Sequence, residues 1–96
     1  MKQIERIQQM ERHLDRASTA ILQLSAALDQ YAEAQNAIHS LRDYYTSPQW
    51  KQDFSDDEAG RLPKNLKRGV LSEDAIWNLL EDNRELLDRM REIVVC

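Results

Sequence analysis

From Gln3 to Tyr45 the chain contains neither glycine nor proline. A stretch of that length without a breaker restricts the fold sharply, because tight turns and hairpins need those residues. The apolar positions then choose the helix. Ile7, Leu14, Ile21 and Leu28 recur every seven residues, and Met10, Ala17, Leu24, Tyr31, Ile38 and Tyr45 form the companion line. This is the spacing of a coiled-coil seam. Beyond Leu28 the first line turns polar at Gln35 and Arg42, and Ala20, Ala27, Ala34 and Leu41 take over. That drift is what 3.6 residues per turn produces against a seven-residue repeat. The small residues on the second line let a neighbouring helix come close. Such a helix would be about 60 Å long at ~1.5 Å per residue. Ser18, Thr19 and Ser25 are weak helix formers, so a bend near them is the one expected departure.

The rest of the chain is punctuated. Ser47 and Pro48 read as the cap and first residue of a short helix, with Trp50 and Phe54 four apart on one face. Gly60 and Pro63 mark its end. Trp50, Phe54, Leu62, Leu66, Val70 and Leu71 are expected to be buried with Tyr44 and Tyr45 as a junction core. A final helix is expected from Ser72 to about Val94. Its apolar stripe is Ile76, Leu79, Leu80, Leu86, Leu87, Met90, Ile93 and Val94, interrupted by Asn83. The fold expected is therefore all-α, one helical domain over residues 1–96: a long helix, a short middle helix with an ordered connector, and a C-terminal helix packed antiparallel on the long one. Composition agrees, with 31 % charged residues, 6 % aromatics, two Gly and two Pro. A chain of this size buries roughly 60–65 % of its unfolded surface, enough for a modest core.

Around the last helix start the sequence reads LPKNLKRGVLSEDAIWNLL, Leu62 to Leu80. Most of it is helix punctuation. Pro63 starts a turn through Lys67, and Gly69 is expected to take the left-handed conformation that ends it. Ser72 caps the helix, Glu73 and Asp74 complement its dipole, and Leu71 with Ile76 forms a hydrophobic staple. On this reading Gly69→Val costs more than ~1 kcal/mol. Four cations are left over: Arg61, Lys64, Lys67 and Arg68. Residues 61–71 carry +4, between 46–60 at −3 and 72–96 at −4. Local balance against Asp53, Asp56, Asp57 and Glu58 is the leading account of them. With Glu73 and Asp74 they are the candidate interaction surface; reversing Lys67 and Arg68 to Glu is expected to leave stability nearly intact, and loss of a captured partner would then mark a binding site.

Here a resemblance appears. Tyr44-Tyr45, Trp50, Asp53, Gly60, Leu62-Pro63 and above all LKRGVLSEDAIWNLL, Leu66 to Leu80, resemble the small bacterial family called domain of unknown function 4298. The similarity covers nearly the whole chain, and its central motif is more specific than its generic flanking helices. It implies a short helical bacterial protein. It implies no activity and carries over no catalytic residues.

Chemistry has little to stand on. Helical nucleotide pyrophosphohydrolases hold magnesium on two carboxylate pairs; this chain has one such pair, Glu85 and Asp88, on the face opposite the apolar stripe. The acids Asp53, Asp56, Asp57 and Glu58 lack the spacing of a calcium loop. His13 and His39 lie about 39 Å apart along one helix and cannot share a metal. No phosphate loop or nucleophile turn is present. The expectation is no enzyme, no cofactor and no metal. A net charge of −4 argues against nucleic acid and membranes as partners, leaving the Arg61–Arg68 patch as the alternative anion site. The lone cysteine, Cys96, can form no bridge within the chain, and the first residues have no apolar signal core, so a cytoplasmic location is expected.

What remains is protein–protein interaction. The last helix is about half as long as the first, so Ile4, Ile7, Met10, Leu14 and Ile21 have no cover within one chain. They are the candidate face for a homodimer or for an unidentified protein partner. A bend at Ser18–Ser25 that folds the first helix back is the alternative.

Overall fold

The computed structural model describes residues 2–94, so Cys96 lies outside the described residues. It contains three α-helices: α1 (Lys2–Tyr45), α2 (Pro48–Glu58) and α3 (Ala75–Val94). A single 3-10 turn, Gly69–Leu71, precedes α3, and no strand occurs among the described residues. The residues fall into two compact units divided after Gln35.

The first unit is helix alone. It runs unbroken through Ser18, Thr19 and Ser25, because Ala17, Ala20, Leu22, Gln23, Leu24 and Ala26 around them are strong helix formers. Every residue from Lys2 to Gln30 is exposed, so the fold-back alternative does not form.

The second unit begins with the last turns of α1 and is organised by two serines used in the same way. Ser47 Oγ donates to the Tyr44 carbonyl (2.6 Å), closing the end of α1, and accepts from the Trp50 amide (3.3 Å), capping α2. Ser72 Oγ donates to the Gly69 carbonyl (2.9 Å) and accepts from the Ala75 amide (3.2 Å), at the start of α3. Each hydroxyl thus satisfies an orphan carbonyl and an orphan amide across one chain reversal. Thr46 Oγ1 covers two more carbonyls, those of Arg42 and Asp43.

α2 ends differently. Gly60 has φ +72°, its amide donates to the Asp57 carbonyl (3.0 Å), and the Arg61 amide donates to the Asp56 carbonyl (2.9 Å). These two bonds define a Schellman stop. The left-handed glycine is therefore Gly60. Gly69 lies in the 3-10 turn, its φ is not positive, and a Cβ there would meet open space. The expectation for Gly69 is corrected: the turn after Pro63 closes earlier, where the Leu66 amide donates to the Pro63 carbonyl.

Packing is thin. Leu71 (6 % exposed) and Ile76 (3 %) are the buried apolar side chains. They occupy the two positions of the expected staple, flanking the Ser72 cap. Trp50, Phe54, Leu62, Tyr44 and Tyr45 are half-buried. Leu66 and Val70 are exposed, against expectation: the connector is held by its polar contacts and points these two outward. Along α3 the covered positions are Ile76, Leu80, Asn83, Leu87 and Met90, a seam of alternating four- and three-residue steps, with Glu81 half-buried beside it. A seam that narrow is what one neighbouring helix covers. Leu79, Leu86, Ile93 and Val94 flank it and stay exposed. α3 contacts the last turns of α1, where Leu41 shares a groove with Ile76 and Leu79.

Candidate functional site

Trp50 is the hub of the second unit. Tyr45 meets it edge-on (5.0 Å between centroids, 67°) and Phe54 stacks on it (5.1 Å, 22°). Its indole Nε1 donates to the Val70 carbonyl (2.9 Å), tying α2 to the 3-10 turn. Tyr44 Oη donates to Asp53 Oδ2 (2.5 Å), bracing α1 against α2. Burial pushes the Tyr44 phenol up to about 12, and the Asp53 carboxylate beside it acts in the same direction.

The leftover cations divide into two kinds. Arg61 Nη1 pairs with Asp56 Oδ1 at 2.8 Å. The Gln52 amide and then this arginine hold the Asp56 carboxyl below its ordinary range. Arg68 does more. Nη1 reaches Asp57 Oδ1 (2.6 Å), Nη2 donates to the Pro63 carbonyl and Nε to the Leu66 carbonyl. Arg68 is a clasp across the connector, with its side chain 32 % exposed. Replacing it by Glu removes these contacts and sets two carboxylates together, which corrects the expectation that such a change spares stability.

Lys64 and Lys67 are exposed and make no ion pair among the described residues. Glu73 and Asp74 are exposed on the turn into α3, where the Asp74 carbonyl accepts from the Asn78 amide (2.8 Å). Thus the six residues of the candidate surface share one connector but not one role: Arg68 clasps the connector, Arg61 pairs with Asp56 at the surface, and Lys64, Lys67, Glu73 and Asp74 are exposed without an ion pair among the described residues.

Lys67 also lines a feature that sequence reasoning missed. An open groove of about 550 Å³ runs between Leu41, Gly69, Val70, Ala75, Ile76 and Leu79, with Lys67 as its one charged wall residue. Trp77, left out of the α3 stripe by its spacing, is 54 % exposed. Four of the six candidate acids have other partners: Asp53 accepts from Tyr44, Asp56 and Asp57 pair with arginines, and Asp88 with Arg84 and Arg91. Among the described residues no cluster of His, Cys, Asp and Glu has metal-binding geometry.

The other candidate surface lies wholly in the first unit. Ile4 (47 %), Ile7 (52 %), Met10 (53 %), Leu14 (59 %) and Ile21 (68 %) are all exposed. Leu24 and Leu28 continue the same seam, 57 % and 43 % exposed. No helix among the described residues is long and apolar enough to cross a membrane.

These features define a small all-helical protein with a polar-clasped junction and one long amphipathic helix. The family model described as Domain of unknown function (DUF4298) matches residues 7–93, and the chain belongs to that family. No curated protein and no solved structure matches it.

Proposed function

We propose that the protein is a small interaction module, without catalytic activity of its own, that self-associates through the first thirty residues of α1. One observation carries this reading: the seam from Ile7 to Leu28, with Ile4 at its edge, lies on a continuous helix and none of it is covered. An exposed apolar stripe of this extent marks an interface. Seven such side chains at roughly 80 Å² each would remove about 1,100 Å² from water across two copies, above the ~1,000 Å² a biological contact should clear and in the range of weaker, reversible interfaces. A second copy presents the same heptad spacing, so its ridges match.

The anion-binding alternative loses half of its charge to Asp56 and Asp57, which keeps only Lys64 and Lys67 for a ligand. Low cysteine content supports a reducing, cytoplasmic setting, and the family resemblance a bacterial one.

Light scattering behind a sizing column, with reductant present, tests the proposal. The expected mass is twice 11.3 kDa at concentrations above roughly 10 µM. The double variant Leu14→Asp, Ile21→Asp should run as a monomer with its helicity largely kept. A wild-type monomer at about 1 mM would end the proposal.

A further inference from the structure

We infer that the two copies pair antiparallel along α1, with the two-fold axis between Ala17 and Ile21, so that each residue faces a partner residue whose number complements its own to about 38. The inference rests on the self-association proposed above and adds its orientation and register. In antiparallel pairs the first seam line packs against the second line of the partner. About this axis Leu14 meets the partner's Leu24, Met10 meets the partner's Leu28, and Ala17 meets the partner's Ile21. Large faces small where the helices cross, and large faces large away from it. A slide of one heptad in either direction sets Leu28 against the partner's Gln3 or Met10 against the partner's Gln35.

The flanks select the direction. Positions beside the seam are bulky or charged in the first half of the unit (Ile4, Arg6, Glu11, His13) and small in the second (Ser25, Ala27, Ala32, Ala34). Antiparallel pairing sets each bulky flank against a small one: Glu11 against the partner's Ser25, and His13 against the partner's Ala27. The separation of the axes stays even along the pair. Ser18 and Ala20 meet their own copies at the axis, where the backbones come closest. Parallel pairing would set small against small over residues 17–34 and bulky against bulky over 4–16, so the helices would splay at one end. It would also leave Ala17 facing Ala17, a gap in the seam. Its one gain is an Arg6 to Glu11 ion pair on the exposed rim, which contributes little. Charge agrees with the antiparallel choice: residues 2–16 carry +1 and residues 17–34 carry −2, so opposite signs lie alongside. Helix dipoles oppose as well.

Cysteine pairs on a Cys96→Ser background test the register. Met10→Cys and Leu28→Cys are made separately, mixed, and treated with a short bifunctional thiol reagent under conditions where the sizing column shows a dimer. The mixture should give a covalent dimer of one chain of each kind, at least tenfold faster than either variant alone. In the antiparallel pair two Met10→Cys thiols lie about 27 Å apart by helical rise. Self-linking of Met10→Cys at the faster rate overturns the orientation while leaving the dimer in place. Equal linking in all three samples overturns the register. A monomeric mass before the reagent is added overturns the self-association itself. If either variant weakens the dimer, Leu14→Cys with Leu24→Cys reads the next layer with the same outcomes.

Discussion

The first unit and the second use apolar residues in opposite ways. From Lys2 to Gln30 the chain builds a regular seam of large aliphatic side chains and covers none of it. From Tyr44 to Ile76 the apolar residues are fewer per turn and irregularly placed, yet they hold the chain through three reversals of direction. The difference lies in the polar groups between them. In the second unit Ser47, Ser72, Arg68, Tyr44 and Trp50 each make a specific hydrogen bond to a residue of another segment or across a chain reversal. The first unit needs no such bonds, because a helix satisfies its own backbone. The comparison teaches a division of labour: one unit is folded by its own contacts, while the other carries an apolar face that nothing within it covers.

Substitution can break that division. Trp50→Ala has the largest expected effect, about 3 kcal/mol of stability, since it removes the ring between Tyr45 and Phe54 and leaves the Val70 carbonyl without its donor. Urea unfolding at fixed protein concentration measures it, and a loss under ~1 kcal/mol would mean the hub lies elsewhere. If the chain self-associates as proposed, the variant should still elute at the parent's mass, because the first unit is untouched. A monomer would show that assembly depends on the junction and would remove the contrast between the units.

The next effect separates the two glycines. Gly60→Ala should cost about 1–2 kcal/mol, because an L side chain is strained at φ +72°. Gly69→Ala should be neutral or stabilising by up to about 1 kcal/mol, since its φ is not positive and the added methyl meets open space. Equal costs at both positions would contradict the helix stop at Gly60.

The smallest effect concerns pH. The Tyr44 phenol is raised to about 12 in the fold, by burial first and then by Asp53. Free tyrosine titrates near 10. The protonated form is the one the fold favours, so its contribution is complete below about pH 10 and is lost as pH rises towards 12. Tyr44→Phe should cost about 1 kcal/mol at neutral pH, and its difference from the parent should shrink across that window. A constant difference from pH 8 to 12 would show that the bond to Asp53 is not formed.

The family assignment and the helix order were legible in the residues themselves. Ser47-Pro48 announced α2, and the breaker-free run to Tyr45 announced α1. Ser72 announced a cap, though regular helix begins three residues later at Ala75. The Gly69 conformation was misread because two glycines lie near two helix ends, and propensity alone does not say which carbonyls each must serve. Leu66 and Val70 were expected inside because large aliphatics usually are. Both are exposed on a connector that Arg68 ties to Asp57, Pro63 and Leu66 through polar contacts, which hydropathy does not report. The candidate surface of six residues was legible as composition, but its split into clasp and free lysines was not.

Sequence by itself determined the three α-helices and most of their ends, because helix periodicity, serine caps and proline starts are local and act over three or four residues. It also determined that residues 4–28 carry an apolar face, since a seven-residue repeat needs no partner to be read. Only the tertiary structure decided which cations are occupied, which glycine turns left-handed, and that a groove opens beside Lys67. Those outcomes depend on groups such as Arg68 and Asp57, or Trp50 and Val70, that are 11 and 20 residues apart in the chain. Their meeting is set by the path of the whole connector, which no local spacing encodes.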